Sequence, residues 1–496
     1  MAEIVYRMIL SHDPAEEVEQ LRSAVAKYFP IYDVNVSYRA VTMMVSVDAD
    51  TMEENFENLR LDLKDNNYIP FIRYEGGEHS ISIVRKPPLR KSNIQINRAL
   101  IAITFLTTTL AGMLLWSDYS GSDGILTLEN FLFGAAAFAI PLLFILGTHE
   151  LSHYYASKKN GVEASLPYFI PFIPPLGTMG AFISLREPMP NRKALVEIGA
   201  SGPLGGLIAT LPIALIGLYL TSQGQPISGP IDEAGAIYIV FQPLYILLGM
   251  LFPAIENVAI HPTAFAAWVG FFVTAINLLP AGQLDGGHIA QGLLGDKAKY
   301  LSYGTAGLLI ILSFVLYTGW LIFALLVILL GLRHPKPLND ISSPGPRAKM
   351  MGAATLVVFL LTFVPTPFIF AESDHSFEMN VEESRVNAIL DEGAKFYVIL
   401  ENTGNSDSKI ELALKNIPPY WGSSIKIDDN DPLGAEATLN LKRDSSVKVT
   451  VTLIPGDIGG DGKGVTKEVL LIASYNDHSI EETLYVIIDP ANNNGE

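Results

Sequence analysis

Gly147-Thr148-His149-Glu150-Leu151-Ser152-His153 closes an apolar run, Phe131 to Leu146, that contains no charged residue. In a helix, residues four apart share a face, so this spacing stacks the His149 and His153 imidazoles with Glu150 beside them. Two imidazoles and a carboxylate so placed point to metal-dependent hydrolysis, with the histidines as ligands and the glutamate as base. The uncharged run that leads into them belongs in a bilayer. An ionisable group at mid-membrane costs roughly 2.5–3.5 kcal/mol on insertion scales, so polar residues held there signal function rather than packing.

The totals agree with that setting. Of 496 residues, 49% are hydrophobic, and the mean hydropathy is +0.31. Several runs reach spanning length, which predicts a polytopic α-helical membrane protein with about seven transmembrane helices. There is no cysteine, so any transition metal must be held by His, Asp or Glu. The formal charge of −18 is uneven: residues 372–496 hold 23 Asp+Glu against 10 Lys+Arg, a net of −13. An acidic tail of this kind argues against nucleic acid as a partner. Met1 to Glu19 mixes charged and apolar positions without an h-region, which predicts no cleavable signal peptide and a cytoplasmic amino terminus.

Residues 1–90 read as a small cytoplasmic α+β domain of the split βαβ kind. Its elements are a strand at Ile4 to Leu10, a helix at Pro14 to Tyr28, strands across Asp33 to Val47, a helix at Thr51 to Asn66 and a strand at His79 to Val84. Nothing in it looks catalytic; His12 and His79 stand alone. Arg85, Lys86, Arg90, Lys91 and Arg98 then precede the first span, Ala99 to Trp116, and fix their side as cytoplasmic. The second span returns at Lys158 and Lys159, which sets His149 near the cytoplasmic end of its helix. Pro141 should bend that helix one turn ahead of the motif.

Segment 162–185 is apolar but carries Pro167, Pro171, Pro174 and Pro175, so a re-entrant hairpin packed on the site is expected rather than a helix. The third span, Leu195 to Tyr219, contains Gly199-Ala200-Ser201-Gly202-Pro203-Leu204-Gly205-Gly206, a small-residue face for close helix packing. Thr221 to Gly235 reads as external, and Ala236 to Phe252 as an interfacial or membrane-dipping helix. The fourth span, Ala264 to Leu279, runs into Asn277-Leu278-Leu279-Pro280-Ala281-Gly282-Gln283-Leu284-Asp285-Gly286-Gly287-His288 at the depth of His149. Asp285 stands out there as a candidate third ligand, because Pro280, Gly282 and the Gly286-Gly287 pair can turn its carboxylate inward. Tyr300 to Leu332 is too long for one span, and a turn at Tyr317-Thr318-Gly319-Trp320 keeps the cations after it inside. Met350 to Ala371 then exits. Residues 95–371 thus form the membrane core, and 372–496 an extracytoplasmic all-β domain whose strand and turn spacing predicts an immunoglobulin-like sandwich.

Together, His149-Glu150-Leu151-Ser152-His153 and Asn277-Leu278-Leu279-Pro280-Ala281-Gly282-Gln283-Leu284-Asp285-Gly286 closely resemble the H-E-x-x-H and N-x-x-P-x-x-x-x-D-G signatures of the site-2 protease family of intramembrane zinc metalloproteases. Gly177-Thr178-Met179-Gly180-Ala181 and Arg333-His334-Pro335 are similar to its archaeal and plastid branch. The resemblance covers about Arg98 to Asp340; neither end resembles a PDZ or CBS domain. It implies one zinc ion held by His149, His153 and Asp285, catalysis by Glu150 with help from Asn277, and His288 as a neighbour rather than a fourth ligand. Hydrolysis of membrane-anchored proteins within or near their spans follows as the expected activity, in the cell membrane, with the lipid bilayer and transmembrane substrates as partners. A membrane zinc transporter or a catalytically silent scaffold relative are the rival readings. Transport would favour several polar sites along a path, whereas these cluster at one depth.

Overall fold

The computed structural model describes residues 14–37, 40–87, 93–122, 124–224, 237–252, 258–332, 334–371, 373–389, 392–428, 430–456, 464–476 and 478–488. Two compact units result: residues 1–227 with 240–367, and residues 228–239 with 368–496.

The first unit opens with helix α1 (Pro14–Ala26), strands β1 (Ile31–Val36) and β2 (Val41–Val45), helix α2 (Met52–Lys64) and strands β3 (Tyr68–Glu75) and β4 (Glu78–Arg85). The sheet is antiparallel in the order β1-β2-β4-β3. The expected strand at Ile4 to Leu10 and His12 lie outside the described residues. Sequence reading missed β3, whose signal is the Gly76-Gly77 turn. Both glycines take positive φ, 65° and 89°, the conformation that a two-residue hairpin needs. One face of the sheet buries Met43, Val45, Ile72, Ile81 and Ile83 against Val25, Phe29, Phe56 and Leu59 of the helices.

Among the described residues, four helices are long and apolar enough to cross a membrane: α3 (Ile94–Ser120), α4 (Leu128–Lys159), α5 (Arg192–Ser222) and the stretch Asp285–Val315. The shorter apolar helices are α7 (Pro262–Asn277) and α10 (Trp320–Leu330). Asp285–Val315 divides into α8 (Asp285–Leu294) and α9 (Ala298–Val315), and α9 turns through Tyr317 to Gly319 into α10. Helix α11 (Gly345–Thr362) follows. The interfacial helix expected over Ala236 to Phe252 is instead a strand, β7 (Ile237–Ile239), and a seven-residue helix, α6 (Pro243–Gly249), because Pro243 fixes a new helix start.

A π-helical segment, Ala135–Ala139, stands just before Pro141. Pro141 has no N–H to offer the Ala137 carbonyl, and the Thr263 hydroxyl of α7 donates to that oxygen at 2.7 Å instead. The four-proline segment is a hairpin of β5 (Tyr168–Pro171) and β6 (Thr178–Phe182). Helix α3 supplies partners for its backbone: Asn97 Nδ2 donates to the Leu166 and Pro167 carbonyls, and Thr107 Oγ1 donates to Gly177 O at 2.7 Å. Segment 334–342 threads between parts of this unit. Leu338 joins the core of the α+β layer, its carbonyl accepts from Ile72 N–H, and its own N–H donates to Met189 O.

In the second unit, β7 pairs with β8 (Phe368–Phe370). Beyond them stand two sheets, β13-β15-β11-β9 and β10-β17-β16-β12-β14, built from β9 (Phe377–Val381), β10 (Arg385–Asn387), β11 (Ala394–Asn402), β12 (Ser408–Lys415), β13 (Gly422–Ile427), β14 (Glu436–Leu441), β15 (Ser446–Ile454), β16 (Val465–Tyr475) and β17 (His478–Ile488). Strict alternation makes this possible: Phe396, Val398, Leu400, Val449 and Val451 of one sheet meet Leu412, Leu471, Leu484 and Val486 of the other in one buried core.

Candidate metal centre

Helix α4 delivers His149 and His153 on one face, and both are buried, as is Glu150. Helix α7 stops at Asn277, the chain turns through residues 278–284, and α8 starts at Asp285. Glycine at 286 permits that turn, since a Cβ there would lie 2.2 Å from the Leu278 carbonyl oxygen. The carboxylate reaches the two imidazoles. His149 Nε2 and His153 Nε2 are 3.2 Å apart, and Asp285 Oδ2 is 3.2 Å from each.

These three atoms form an equilateral triangle with every edge at the spacing of tetrahedral zinc ligands, about 3.3 Å when bonds run about 2.0–2.1 Å. His149, His153 and Asp285 would hold such an ion, and all three line one cavity. The tautomer fits as well. His153 Nδ1 lies 2.8 Å from the Ile198 carbonyl, which can only accept, so Nδ1 carries the proton and Nε2 presents its lone pair. The donor set is therefore suited to a metal ion, and among the described residues it is the single such group of three or more.

Around the triangle, Glu150 Oε1 lies 4.0 Å from His149 Nε2, and Asn277 Nδ2 lies 3.4 Å from the same atom. A cavity of about 200 Å³ opens on them, bounded by Ala181 to Ile183 from β6 and its continuation, and by His288. His79, by contrast, packs on Tyr74 in the α+β layer.

Two features escaped sequence reading. The glycines of α5 do provide close packing, but what they pack on is the site: a Cβ at Gly202 would fall 2.0 Å from His153 Nε2, one at Gly206 3.1 Å from His149 Nδ1, and one at Gly199 2.9 Å from the His288 Cβ. Their i, i+3 and i+7 spacing is the available signal. His334 was the other. Its Nε2 is 2.6 Å from His288 Nδ1 and its Nδ1 is 2.6 Å from Pro335 O, a contact across 46 residues that no local pattern announces.

Residues 137–318 match the family model described as peptidase family M50. The chain is 32% identical over 252 residues to the probable zinc metalloprotease EGY1, chloroplastic, of Arabidopsis thaliana, covering 48% of this chain and 44% of that protein. To the probable zinc metalloprotease EGY2, chloroplastic, of Oryza sativa subsp. indica it is 30% identical over 278 residues, covering 55% and 50%. It thus spans about half the length of the curated relatives it matches. Segment 137–318, which holds His149, His153 and Asp285, is thus similar to peptidase family M50.

Proposed function

We propose that this chain is an intramembrane zinc metalloendopeptidase that hydrolyses membrane-anchored proteins within or near their spans. The triangle of His149 Nε2, His153 Nε2 and Asp285 Oδ2, with edges of 3.2 Å, carries this reading. Zinc bound there supplies Lewis acidity toward a peptide carbonyl and acidifies water. Glu150 takes the proton of the attacking water and returns it to the leaving amine nitrogen, so one water is consumed and a carboxyl and an amine are formed. Asn277 Nδ2 donates toward the carbonyl oxygen of the substrate as negative charge develops on it. Ile198 holds the His153 ring in its metal-facing tautomer.

A helical substrate hides its carbonyls in its own hydrogen bonds, so the scissile segment must unwind. We assign strand β6 as the edge along which it extends, since Ala181 to Ile183 border the cavity. Seven spans are proposed: α3, α4, α5, α7, α9, α10 and α11. They lie in the cell membrane, with an α+β domain at 1–90 in the cytoplasm, a core at 95–371 and an immunoglobulin-like domain at 372–496 outside. The distribution of Lys and Arg supports that orientation. Purified protein with Glu150→Gln tests the activity: it should keep zinc and lose cleavage of a model membrane substrate by about 100-fold or more. A wild type loaded with zinc but inert toward every membrane-anchored substrate would favour the silent-scaffold alternative.

A further inference from the structure

A second cleft, of about 400 Å³, lies where α4 ends, and its walls include Lys64 of α2, Tyr154 and Lys158 of α4, Glu163, and Arg186. Lys64 is committed elsewhere: its ammonium donates to Gly161 O at 2.9 Å and to the Glu187 carboxylate at 3.1 Å. The other donors are not. Among the described residues, the Lys158 ammonium, the half-buried Arg186 guanidinium and the Tyr154 hydroxyl have no hydrogen-bond or ion-pair partner. Glu163 is the one carboxylate on the wall and is exposed, so three cations face the cleft against one anion.

The end of α4 does not supply the missing acceptors. Its last carbonyls, of Ala156, Ser157 and Lys158, already accept from Asn160, Val162 and Gly161 N–H. Unpartnered donors drawn from two separate segments, one of them a planar guanidinium, match an oxyanion with several acceptor oxygens. Lys158 and Lys159 end a helix long and apolar enough to cross a membrane, so the cleft sits where that helix meets water, the depth of phospholipid headgroups.

We propose that this cleft binds a phosphate group, in the form of an anionic phospholipid headgroup or of a free phosphate, between α2 and the metal-bearing helix α4. The site is independent of the peptidase reading. Its test uses the full chain in detergent micelles and nanodiscs, with monodisperse elution checked for each variant. Dioleoylphosphatidylglycerol should bind saturably by native mass spectrometry, and Lys158→Gln/Arg186→Gln should weaken it by about tenfold or more. Lys193→Gln/Lys297→Gln, which removes two exposed cations outside the cleft, should leave it within about twofold. If inorganic phosphate gives the variant-sensitive binding and the lipid does not, the free form is the ligand. If neither probe distinguishes Lys158→Gln/Arg186→Gln from wild type, or if the control pair weakens binding as much, the proposal is overturned.

Discussion

Gly202 of α5 lies directly against His153 of α4, so close that a methyl group at 202 would stand 2.0 Å from the Nε2 atom that faces the metal position. The two helices meet at van der Waals contact only because position 202 has no side chain. The Ile198 carbonyl, one turn earlier on α5, fixes the tautomer of the same ring. A single helix face thus sets both the position and the protonation of a candidate metal ligand.

Gly202→Ala should therefore remove zinc rather than merely slow cleavage. The added carbon displaces His153 or pushes α5 away, and zinc affinity should fall by about 100-fold or more, against the roughly 10–100-fold typical of changes next to metal ligands. Zinc content after dialysis against a graded chelator measures it. Stoichiometric zinc in the variant would contradict the geometry.

Asp285→Asn tests the third corner. The amide keeps the size of the side chain but presents a neutral oxygen or an N–H where the carboxylate faced two imidazoles at 3.2 Å. Zinc affinity should drop well below that of Glu150→Gln, which leaves the triangle intact. Equal zinc retention in both variants would remove Asp285 from the ligand set.

Ala181→Pro addresses the substrate edge. Proline removes a backbone N–H from the strand that borders the cavity, while His149, His153 and Asp285 stay untouched. Cleavage should be lost with zinc still bound, the loss appearing mainly in KM. Unchanged turnover would mean that substrates do not extend along β6.

Acid should loosen the α+β layer through Glu187. Burial opposes ionisation of this carboxyl, but hydrogen bonds from Lys86, Lys64 and the Glu163 N–H outweigh it and hold the group below its usual range. A depressed carboxyl contributes stability that is present above its unfolded pKa, about 4.3, and is lost as pH falls through the folded value. Protection of residues 52–85 from hydrogen exchange should accordingly weaken below about pH 4. Glu187→Gln should cost about 2 kcal/mol at neutral pH, less than the roughly 3–5 of a fully buried pair, because the Lys64 side chain is 30% exposed. Exchange in that variant indistinguishable from wild type at pH 7 would show the ion pairs to be idle.

What the sequence by itself determined is what short-range chemistry encodes. Four-residue spacing put His149 and His153 on one helix face, uncharged runs marked the long apolar helices, and period-two alternation marked the strands of the second unit. Pro280, Gly282, Gly286 and Gly287 announced the break that presents Asp285. Two signals present in the letters were passed over, the Gly76-Gly77 turn before β4 and the partner of the α5 glycines. The rest only tertiary structure decided. That Gly202 faces His153, that Thr263 satisfies the carbonyl freed by Pro141, that His334 reaches His288 and that Leu338 enters the core of the α+β layer are contacts across tens to hundreds of residues. Such contacts depend on how helices cross and where chains return, and no local periodicity records those quantities.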